Sequence, residues 1–382
     1  MNQPVDRPTF AVVTGGGTSG HVLPALAVAD ALVARGHDPA EIHYVGTERG
    51  IETTLLPDTP YRATFLDVVG VQRSITTRNV GFVPKMVAAT RRMVRLFRTD
   101  RPAVVVSVGG YASMPAVFAA NRLGIPVVVV SYDRTPGRAS RLAARRAAAC
   151  AVAFEGSPLP RAEVAGAPVR QVILDVDRGP AARAEARDRL GVGDDRFLVA
   201  VMGGSLGSGV LNRLVAEYVA LRADDEGLAV RQVAGARFVD DVAVVGSGSA
   251  DAAGIQHQVV GYEDDMPAVY SACDLLIGRG GASTVHEVAV TGTPAILVPW
   301  AGAADDHQTD NVSWLSEVGG AVLLTEDHLE GPGGLIDTVE RLRHDDAARA
   351  ALSAAAASRG EIHRSGALAG VIERAAVTSS SS

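Results

Sequence analysis

The stretch Val12-Val13-Thr14-Gly15-Gly16-Gly17-Thr18-Ser19-Gly20 decides the fold class, because an apolar run enters a glycine loop and a helical pattern follows. The same order returns at Val199-Ala200-Val201-Met202-Gly203-Gly204-Ser205-Leu206-Gly207. A strand, a glycine loop and a helix in this order open a Rossmann-like sheet. Two such openings predict two Rossmann-like domains in one chain.

Short apolar runs flanked by glycine or proline alternate with helical periodicity along most of the chain. The strand-like runs are Phe10–Thr14, Val104–Val108, Val127–Ser131, Leu198–Met202, Asp274–Gly278 and Ala295–Pro299. The helix-like segments include Pro24–Arg35, Pro115–Leu123 and Ser283–Thr291. This alternation predicts doubly wound α/β sheets of parallel strands.

The pattern breaks near Ala167–Pro180, where prolines and a glycine interrupt it. We therefore expect an N-terminal domain over residues 1–170 and a C-terminal domain over residues 171–359. The remaining residues, 360–382, are expected to form a helix and a disordered polar tail.

Composition restricts the function classes. The net charge of −7 argues against nucleic-acid binding. No signal peptide is visible and no run approaches the roughly 20 apolar residues of a membrane span, so membrane contact is expected to be peripheral. Cys150 and Cys273 lie in apolar runs and suit a reducing compartment. No zinc-ligand spacing occurs, and Asp175-Val176-Asp177 spells a metal–nucleotide motif away from any glycine loop, so we expect neither a metal nor another cofactor.

The first glycine loop ends at His21, at the start of the predicted helix. Backbone amides there favour an anionic ligand, and a histidine beside such a loop can serve as a general base. A tight turn with nothing bound and a structural histidine are the alternatives. The loop around Ser205 offers a second set of amides to a phosphate, and two loops suggest a ligand gripped between two domains.

A third motif runs from Gly278 to Glu287 as strand, glycines, helix and acid. Its helix amides can hold phosphate, and Glu287 can accept hydrogen bonds from both hydroxyls of a ribose, unless it is an ordinary exposed helical acid. Arg170 can neutralise charge on a leaving diphosphate or lie on the surface.

Basic residues cluster in Arg78–Arg101, where they alternate with apolar side chains. An amphipathic basic helix suits anionic lipid headgroups, whereas an ordinary Rossmann helix packs its apolar face on the sheet. Both interpretations remain open.

Together these motifs resemble the MurG family of glycosyltransferase family 28, which adds N-acetylglucosamine to lipid I in peptidoglycan synthesis. The similar segments are G-G-G-T-S-G-H-V-L-P, G-G-Y-A-S-M-P, A-E-V-A-G-A-P-V-R, G-G-S-L-G-S, Y-E-D-D-M-P, G-A-S-T-V-H-E and D-H-Q-T-D-N, in the family's order from about Ala11 to Thr325. The resemblance implies the GT-B fold, two Rossmann-like domains facing across a cleft.

The resemblance also implies roles for individual residues. His21 corresponds to the general base and Tyr111 to an acceptor contact. The residues implied to bind the donor are Thr18, Ser19, Gly20, Asp133, Arg170, Ser205, Tyr262, Ala282, Ser283, Thr284, Val285, His286, Glu287 and Gln308. Among them, Arg170 and Ser205 would hold the diphosphate, Tyr262 would lie beside the uracil and Gln308 would contact the sugar.

One segment departs from the family. Where the family has His-Glu, then Gln or Ala, then Asn, this chain has Val130-Ser131-Tyr132-Asp133. Asp133 keeps an acceptor oxygen but loses the amide donor of the asparagine and adds charge. The change bears on sugar specificity.

The implied reaction is inverting transfer of N-acetylglucosamine from UDP-N-acetylglucosamine to the C4 hydroxyl of the muramoyl sugar of lipid I, at the cytoplasmic face of the plasma membrane. The implied partners are therefore UDP-N-acetylglucosamine, lipid I and an anionic membrane surface. Three alternatives remain. They are a transferase acting on another lipid or a secondary metabolite, a UDP-sugar epimerase of the same architecture, and a UDP-sugar-binding homologue with reduced activity.

Overall fold

The computed structural model describes residues 8–68, 82–204, 207–242, 254–303 and 306–378. Two compact units divide the chain: residues 1–171 with 362–382, and residues 172–361. The first unit is therefore assembled from two separate stretches of sequence.

The first unit contains a seven-stranded parallel sheet in the order β3-β2-β1-β4-β5-β6-β7. Its strands are β1 Ala11–Thr14, β2 Ile42–Thr47, β3 Arg62–Leu66, β4 Val104–Ser107, β5 Val127–Ser131, β6 Ala149–Val152 and β7 Ala162–Val164. Its helices are α1 Ser19–Ala34, α2 Glu52–Leu55, α3 Phe82–Thr99, α4 Met114–Leu123, α5 Arg138–Ala144 and, much later in the chain, α14 Ala367–Thr378.

The second unit contains a six-stranded parallel sheet in the order β10-β9-β8-β11-β12-β13. Its strands are β8 Phe197–Met202, β9 Leu228–Val233, β10 Gln256–Val260, β11 Leu275–Arg279, β12 Ala295–Val298 and β13 Val322–Leu323. The helices between β7 and α14 in the sequence are α6 Gln171–Leu174, α7 Pro180–Leu190, α8 Gly209–Leu221, α9 Met266–Ala272, α10 Ala282–Thr291, α11 His307–Ser316, α12 Leu335–Arg343 and α13 Asp346–Arg364. The division at residue 361 falls within α13.

Both sheets have the doubly wound strand order. The chain first adds strands on one side of its first strand and then adds the later strands on the other side. In each unit the central strands are almost fully buried, as their continuous apolar sequences require. The prediction of two Rossmann-like parallel sheets is confirmed. Such sheets bind ligands outside the carboxyl ends of the strands at the point of reversal, which lies between β1 and β4 and between β8 and β11.

The late helix α14 completes the first unit. It packs against α1 and the central strands β4, β5 and β6. Its buried side chains are Leu368, Ala369, Val371, Ile372, Ala375 and Ala376. Burying one side chain the size of Ile372 contributes about 1.5–3 kcal/mol, so the helix is an integral part of this core.

The described residues include no helix that combines the length and the apolar composition needed to cross a bilayer. The same residues contain no group of three or more histidines, cysteines and acids that could hold a metal ion. Asp177 of the D-x-D sequence accepts a hydrogen bond from the amide of Gly179 at 2.7 Å, within a local turn.

Candidate active site

Hydrogen bonds to the buried side chains of Glu52 and Tyr44 hold the glycine loop of the first unit in place. Glu52, which is fully buried, accepts hydrogen bonds from the amide of Gly17 at 3.2 Å and from the amide and hydroxyl of Thr47 at 2.7 Å each. A Cβ at Gly16 would lie 2.5 Å from the same carboxylate. The hydroxyl of Tyr44 donates to the carbonyl of Gly15 at 2.5 Å. The loop is therefore preorganised. Position 16 requires glycine because any side chain there would collide with the carboxylate of Glu52.

Helix α1 begins directly after this loop. Thr18 is its N-cap residue and makes no side-chain capping bond, and Ser19 and Gly20 form the first turn. Gly17, Thr18 and Gly20 are exposed. Because the first amides of a helix have no partner within it, this turn offers donors and positive potential to an anionic group. Thr18, Ser19 and Gly20 therefore lie at the N-terminus of α1, and their contact with the donor stays a prediction.

His21 is held on several sides. Its Nδ1 lies 2.9 Å from the hydroxyl of Tyr132, which follows β5, and the two rings meet edge to face. A Cβ at Gly110 would lie 3.1 Å from Cδ2 of the ring, and one at Gly109 would lie 3.5 Å from Cε1. Loops that follow β1, β4 and β5 therefore meet at this imidazole, at the reversal point of the sheet.

The electrostatic setting of His21 suits a base. Burial lowers the pKa of His21 below its ordinary value of 6.5, while the charge of Asp133 acts in the opposite direction. The ring is consequently neutral at neutral pH and able to accept a proton. The sequence predicts that Asp133 contacts the donor sugar nucleotide. In the structure its negative charge also acts on His21, whose pKa it raises.

Tyr111 lies in the short 3-10 helix Tyr111–Ser113 that follows Gly110. Its half-buried ring packs edge to face on Phe82, the first residue of α3, with ring centroids 6.3 Å apart. The ring therefore links the loop after β4 to α3, the helix for which lipid contact and packing on the sheet are the two interpretations.

Arg170 belongs to the first unit and immediately precedes α6. The segment before it is pinned by His363, whose Nδ1 accepts a hydrogen bond from the amide of Ala167 at 2.8 Å. A Cβ at Gly166, where φ is +80°, would lie 2.9 Å from the same nitrogen. The glycine in this motif is therefore required by close packing on His363.

In the second unit, Arg279 at the end of β11 joins three loops. It donates to the hydroxyl of Ser208 at 2.6 Å and forms an ion pair with Glu326 at 2.6 Å. It also lies 3.3 Å from the carbonyl oxygen of Pro299. Ser208 in turn caps α8 by accepting from the amide of Leu211. Ser205, predicted to hold the diphosphate, lies outside the described residues.

Helix α10 presents a first turn without side-chain capping, because its N-cap residue is Gly281. Ser283 and Thr284 are half-buried, whereas Ala282, Val285 and His286 are buried. The ring of His286 packs on Trp314, with centroids 5.5 Å apart. The amide of Val285 already donates to the carbonyl of Gly281 at 3.1 Å, so the amides of α10 that face a ligand are those of Ala282, Ser283 and Thr284. The first amides of the helix remain suited to phosphate.

Glu287 is oriented by a buried tyrosine. Its Oε2 accepts a hydrogen bond from Tyr270 at 2.8 Å, and Tyr270 is fully buried. A carboxylate has further lone pairs, so this bond leaves acceptor capacity for hydroxyl groups. Glu287 therefore has a fixed position one turn into α10.

Gln308 lies beside the start of α10. A Cβ at Gly280 would meet Cβ of Gln308 at 3.3 Å, and Oε1 of Gln308 accepts from the amide of Trp300 at 2.9 Å. Its amide group is therefore the part best suited to donate to a sugar hydroxyl. Tyr262 follows β10, two strands from β8 at the edge of the sheet, and its side chain is 53% exposed.

Sequence reasoning missed three residues that organise these loops: Glu52, Tyr132 and Arg279. Tyr132 lies in the segment Val130–Asp133 and Arg279 in the motif Gly278–Glu287, but these segments do not indicate which contacts the two side chains make. Their partners, like those of Glu52, are distant in sequence or lie in the backbone. An acid soon after the second strand and an arginine at the end of a buried strand were the available signals.

Comparison with known proteins decides the family. The family model of the glycosyltransferase family 28 N-terminal domain matches residues 11–152. The model of the family's C-terminal domain matches residues 198–366. The chain belongs to glycosyltransferase family 28. The resemblance inferred from the motifs is thereby confirmed.

Three curated relatives of this family 28 chain share one name, UDP-N-acetylglucosamine--N-acetylmuramyl-(pentapeptide) pyrophosphoryl-undecaprenol N-acetylglucosamine transferase. The protein of Clavibacter michiganensis subsp. michiganensis is 38% identical over 354 residues, covering 92% of both chains. That of Desulforudis audaxviator is 34% identical over 374 residues, covering 96% of this chain and 98% of its own. That of Mycobacterium leprae is 37% identical, covering 93% and 86%.

Solved structures agree on the fold. MurG of Acinetobacter baumannii superposes with a TM-score of 0.68 at 26% identity, covering 96% of this chain and 99% of its own. The UDP-GlcNAc 2-epimerase of Neisseria meningitidis gives a TM-score of 0.65 at 13% identity, covering 97% and 100%. The second likeness shows the fold alone. The GT-B prediction, with two Rossmann-like domains, is confirmed.

Proposed function

We propose that the chain is the inverting transferase that moves N-acetylglucosamine from UDP-N-acetylglucosamine to the C4 hydroxyl of the muramoyl sugar of lipid I, giving lipid II and UDP. The main support is the shared name of relatives that are 34–38% identical over at least 92% of this chain. The geometry adds a neutral, oriented histidine at a helix N-terminus. The epimerase alternative rests on fold likeness alone and is not favoured.

In the proposed reaction, the C4 oxygen of the acceptor attacks the anomeric carbon of the donor sugar as its proton passes to His21. The bond between the anomeric carbon and the diphosphate oxygen breaks, and UDP carries away the electron pair. Because a hydroxyl is a poor nucleophile at neutral pH, the base contributes roughly 10²–10⁴-fold. Inversion at the anomeric carbon gives a β(1→4) bond.

The second unit is proposed to hold the donor. The first turn of α10 would bind the diphosphate, Glu287 would accept from the ribose hydroxyls, and Gln308 would donate to the sugar. Arg170 and Ser205 are proposed to hold the diphosphate, the arginine by its charge and the serine by a hydrogen bond, and Tyr262 is proposed to lie beside the uracil. Charge-assisted hydrogen bonds and the helix dipole stabilise a leaving diphosphate by electrostatics.

The base assignment is tested with His21→Ala, UDP-N-acetylglucosamine and a lipid I analogue. We expect turnover to fall about 100-fold or more while the Kd for UDP measured by calorimetry stays within about twofold. His328→Ala is the control, because His328 is exposed in the second unit. Near-normal turnover of His21→Ala, or an equal loss of UDP affinity and rate, would refute the assignment.

The proposed membrane surface is the outer face of α3, α4 and α5, which we call the helical face. These helices lie side by side over one side of the first sheet and bury their other sides in one core. The helical face exposes Val83, Val87, Phe118 and Leu142 together with Arg91, Arg92, Arg95, Arg98, Arg122, Arg138, Arg141 and Arg145. Residues 78–81 of the predicted basic segment lie outside the described residues.

Apolar side chains surrounded by arginines suit a layer of anionic headgroups, with about 1 kcal/mol from each basic residue near the surface. We propose that this face binds the cytoplasmic leaflet of the plasma membrane, peripherally, where lipid I would be presented. Arg92 donates to the carbonyl of Phe65 at 2.9 Å, so Arg91 and Arg95 are the better pair to change.

Cosedimentation with vesicles containing phosphatidylglycerol tests this surface. Binding is expected to weaken steeply between about 50 and 300 mM salt and to weaken further in Arg91→Gln/Arg95→Gln. Arg189→Gln/Arg341→Gln in the second unit makes the same charge change at exposed positions and is the control. Binding that is insensitive to salt, or equally reduced in the control, would assign α3 to packing only.

A further inference from the structure

Tyr132 stands at the departure from the family sequence and touches the proposed base. It follows β5 directly, and its side chain is buried. Its hydroxyl donates a hydrogen bond to the carbonyl of Gly20 and lies 2.9 Å from Nδ1 of His21. Tyr132 therefore links the end of β5 to the first turn of α1.

The hydrogen count in this contact determines the tautomer of His21. A tyrosine hydroxyl has one hydrogen, and a carbonyl oxygen can only accept. Since the hydrogen of Tyr132 is given to Gly20, the remaining bond to His21 requires Nδ1 to carry a hydrogen and donate it. In the neutral ring, Nε2 then has the lone pair. Burial, reinforced by Asp133, raises the pKa of Tyr132 well above its ordinary value, so the hydroxyl keeps its hydrogen.

The neighbouring loop defines the other edge of the ring. Gly110 approaches Cδ2, and its Cβ would lie 3.6 Å from Nε2. The absence of a side chain at this position leaves the ring edge that includes Nε2 uncovered by a methyl group. Tyr132 thus fixes one nitrogen of the ring while glycine leaves room at the other.

We propose that Tyr132 is a positioning residue that holds His21 in the Nδ1–H tautomer and so presents Nε2 as the proton acceptor. This inference rests on the proposed function only in taking His21 as the base. The hydrogen-bond arrangement itself exists without substrate. It gives the first-turn histidine an orienting partner from a strand 111 residues away in sequence.

The first test is made on the unsubstituted chain and needs no activity. With ¹⁵N-labelled histidine, the His21 signals are assigned by their loss in His21→Gln. At pH 7.5 we expect a protonated Nδ1 and an unprotonated Nε2 for His21. An Nε2–H tautomer, or rapid exchange between tautomers, would overturn the proposal.

The second test compares Tyr132→Phe with Tyr61→Phe. Tyr61 is also buried in the first unit, but its hydroxyl donates to Asp30. We expect Tyr132→Phe to lose the single tautomer and to lower kcat about tenfold, the equilibrium worth of one hydrogen bond, with the KM for UDP-N-acetylglucosamine within about twofold. Tyr61→Phe should leave the His21 signals and kcat unchanged.

The outcomes separate the two claims. An unchanged tautomer in folded Tyr132→Phe, or an equal fall of kcat in the Tyr61 variant, would refute the positioning role. If the tautomer shifts as expected but His21→Ala retains turnover, positioning is supported and the base assignment fails. If Tyr132→Phe does not fold, the labelled unsubstituted chain still decides the tautomer.

Discussion

Replacing Gly110 by alanine should slow the reaction, because the added methyl group displaces His21. Gly110 has φ of +73°, and the added Cβ would lie 3.1 Å from Cδ2 of His21 and 3.4 Å from the carbonyl of Gly16. An ordinary carbon contact requires about 3.5–4.0 Å. The imidazole must therefore move by about 0.4 Å or more, which strains its 2.9 Å hydrogen bond to Tyr132.

The cost in rate follows from this displacement. A misplacement of about 1 Å costs roughly 100-fold. On that scale, about 0.4 Å lowers kcat roughly sixfold, and we expect a loss of about 5–10-fold in Gly110→Ala. Gly110, with φ of +73° and ψ of +155°, lies in a backbone region that essentially only glycine adopts, so alanine there adds about 1–3 kcal/mol of strain and lowers the Tm by several degrees.

Gly124→Ala separates strain from displacement. Gly124 ends α4 in the same unit with φ of +66°, and its Cβ would meet nothing within 4 Å. Because ψ at Gly124 is +32°, a left-handed helical conformation that alanine tolerates better, Gly124→Ala should lower the Tm by no more than Gly110→Ala does and leave kcat unchanged. Release of UDP in the presence of a lipid I analogue measures the rate, and calorimetry measures the Tm. Normal kcat in Gly110→Ala, or the same loss in both variants, would refute the displacement argument.

Four further results are expected. Because burial lowers the pKa of His21, the acid limb of a plot of log kcat/KM against pH should lie below pH 6.5. Asp133→Asn should change the preference among competing UDP-sugars, measured from product ratios, more than the rate with the best donor. Glu287→Ala should raise the KM for UDP-N-acetylglucosamine about tenfold or more, and Tyr270→Phe should raise it less, in initial-rate measurements. Burial holds the pKa of His257 at about 4 in the folded state, against about 6.5 unfolded. Unfolding therefore takes up a proton below pH 6.5, and urea titrations should show about 2 kcal/mol of stability lost by pH 5 that His257→Gln does not lose.

Strands with continuous apolar sequences were predictable from the chain alone. The expected run Val127–Ser131 is β5, and the expected helix Ser283–Thr291 begins one residue earlier as α10. Strands such as β7 and β10 escaped, because β7 is exposed and β10 begins with Gln256-His257-Gln258. An apolar sequence pattern does not mark a strand at the edge of a sheet, because such a strand is defined by its pairing with the neighbouring strand.

The site was predictable where its chemistry is local. A glycine loop followed by His21 marks itself in sequence, and so does a strand that leads through glycines to Glu287. The partner of His21 was not predictable, because Tyr132 lies 111 residues away and reaches it only through the order of the strands. Contacts of this kind depend on topology, which no single motif contains.

The return of α14 to the first sheet has a consequence for how the chain is made. On the ribosome, residues 1–171 emerge well before residues 362–382, with the 190 residues 172–361 between them. Until then, the apolar surface that later meets Leu368, Val371 and Ile372 has no cover. The unit that carries His21 is begun first and finished last. During synthesis, the second unit can therefore be folded while the first unit is still incomplete. At that stage the first unit exposes an apolar surface that chaperones and proteases can bind.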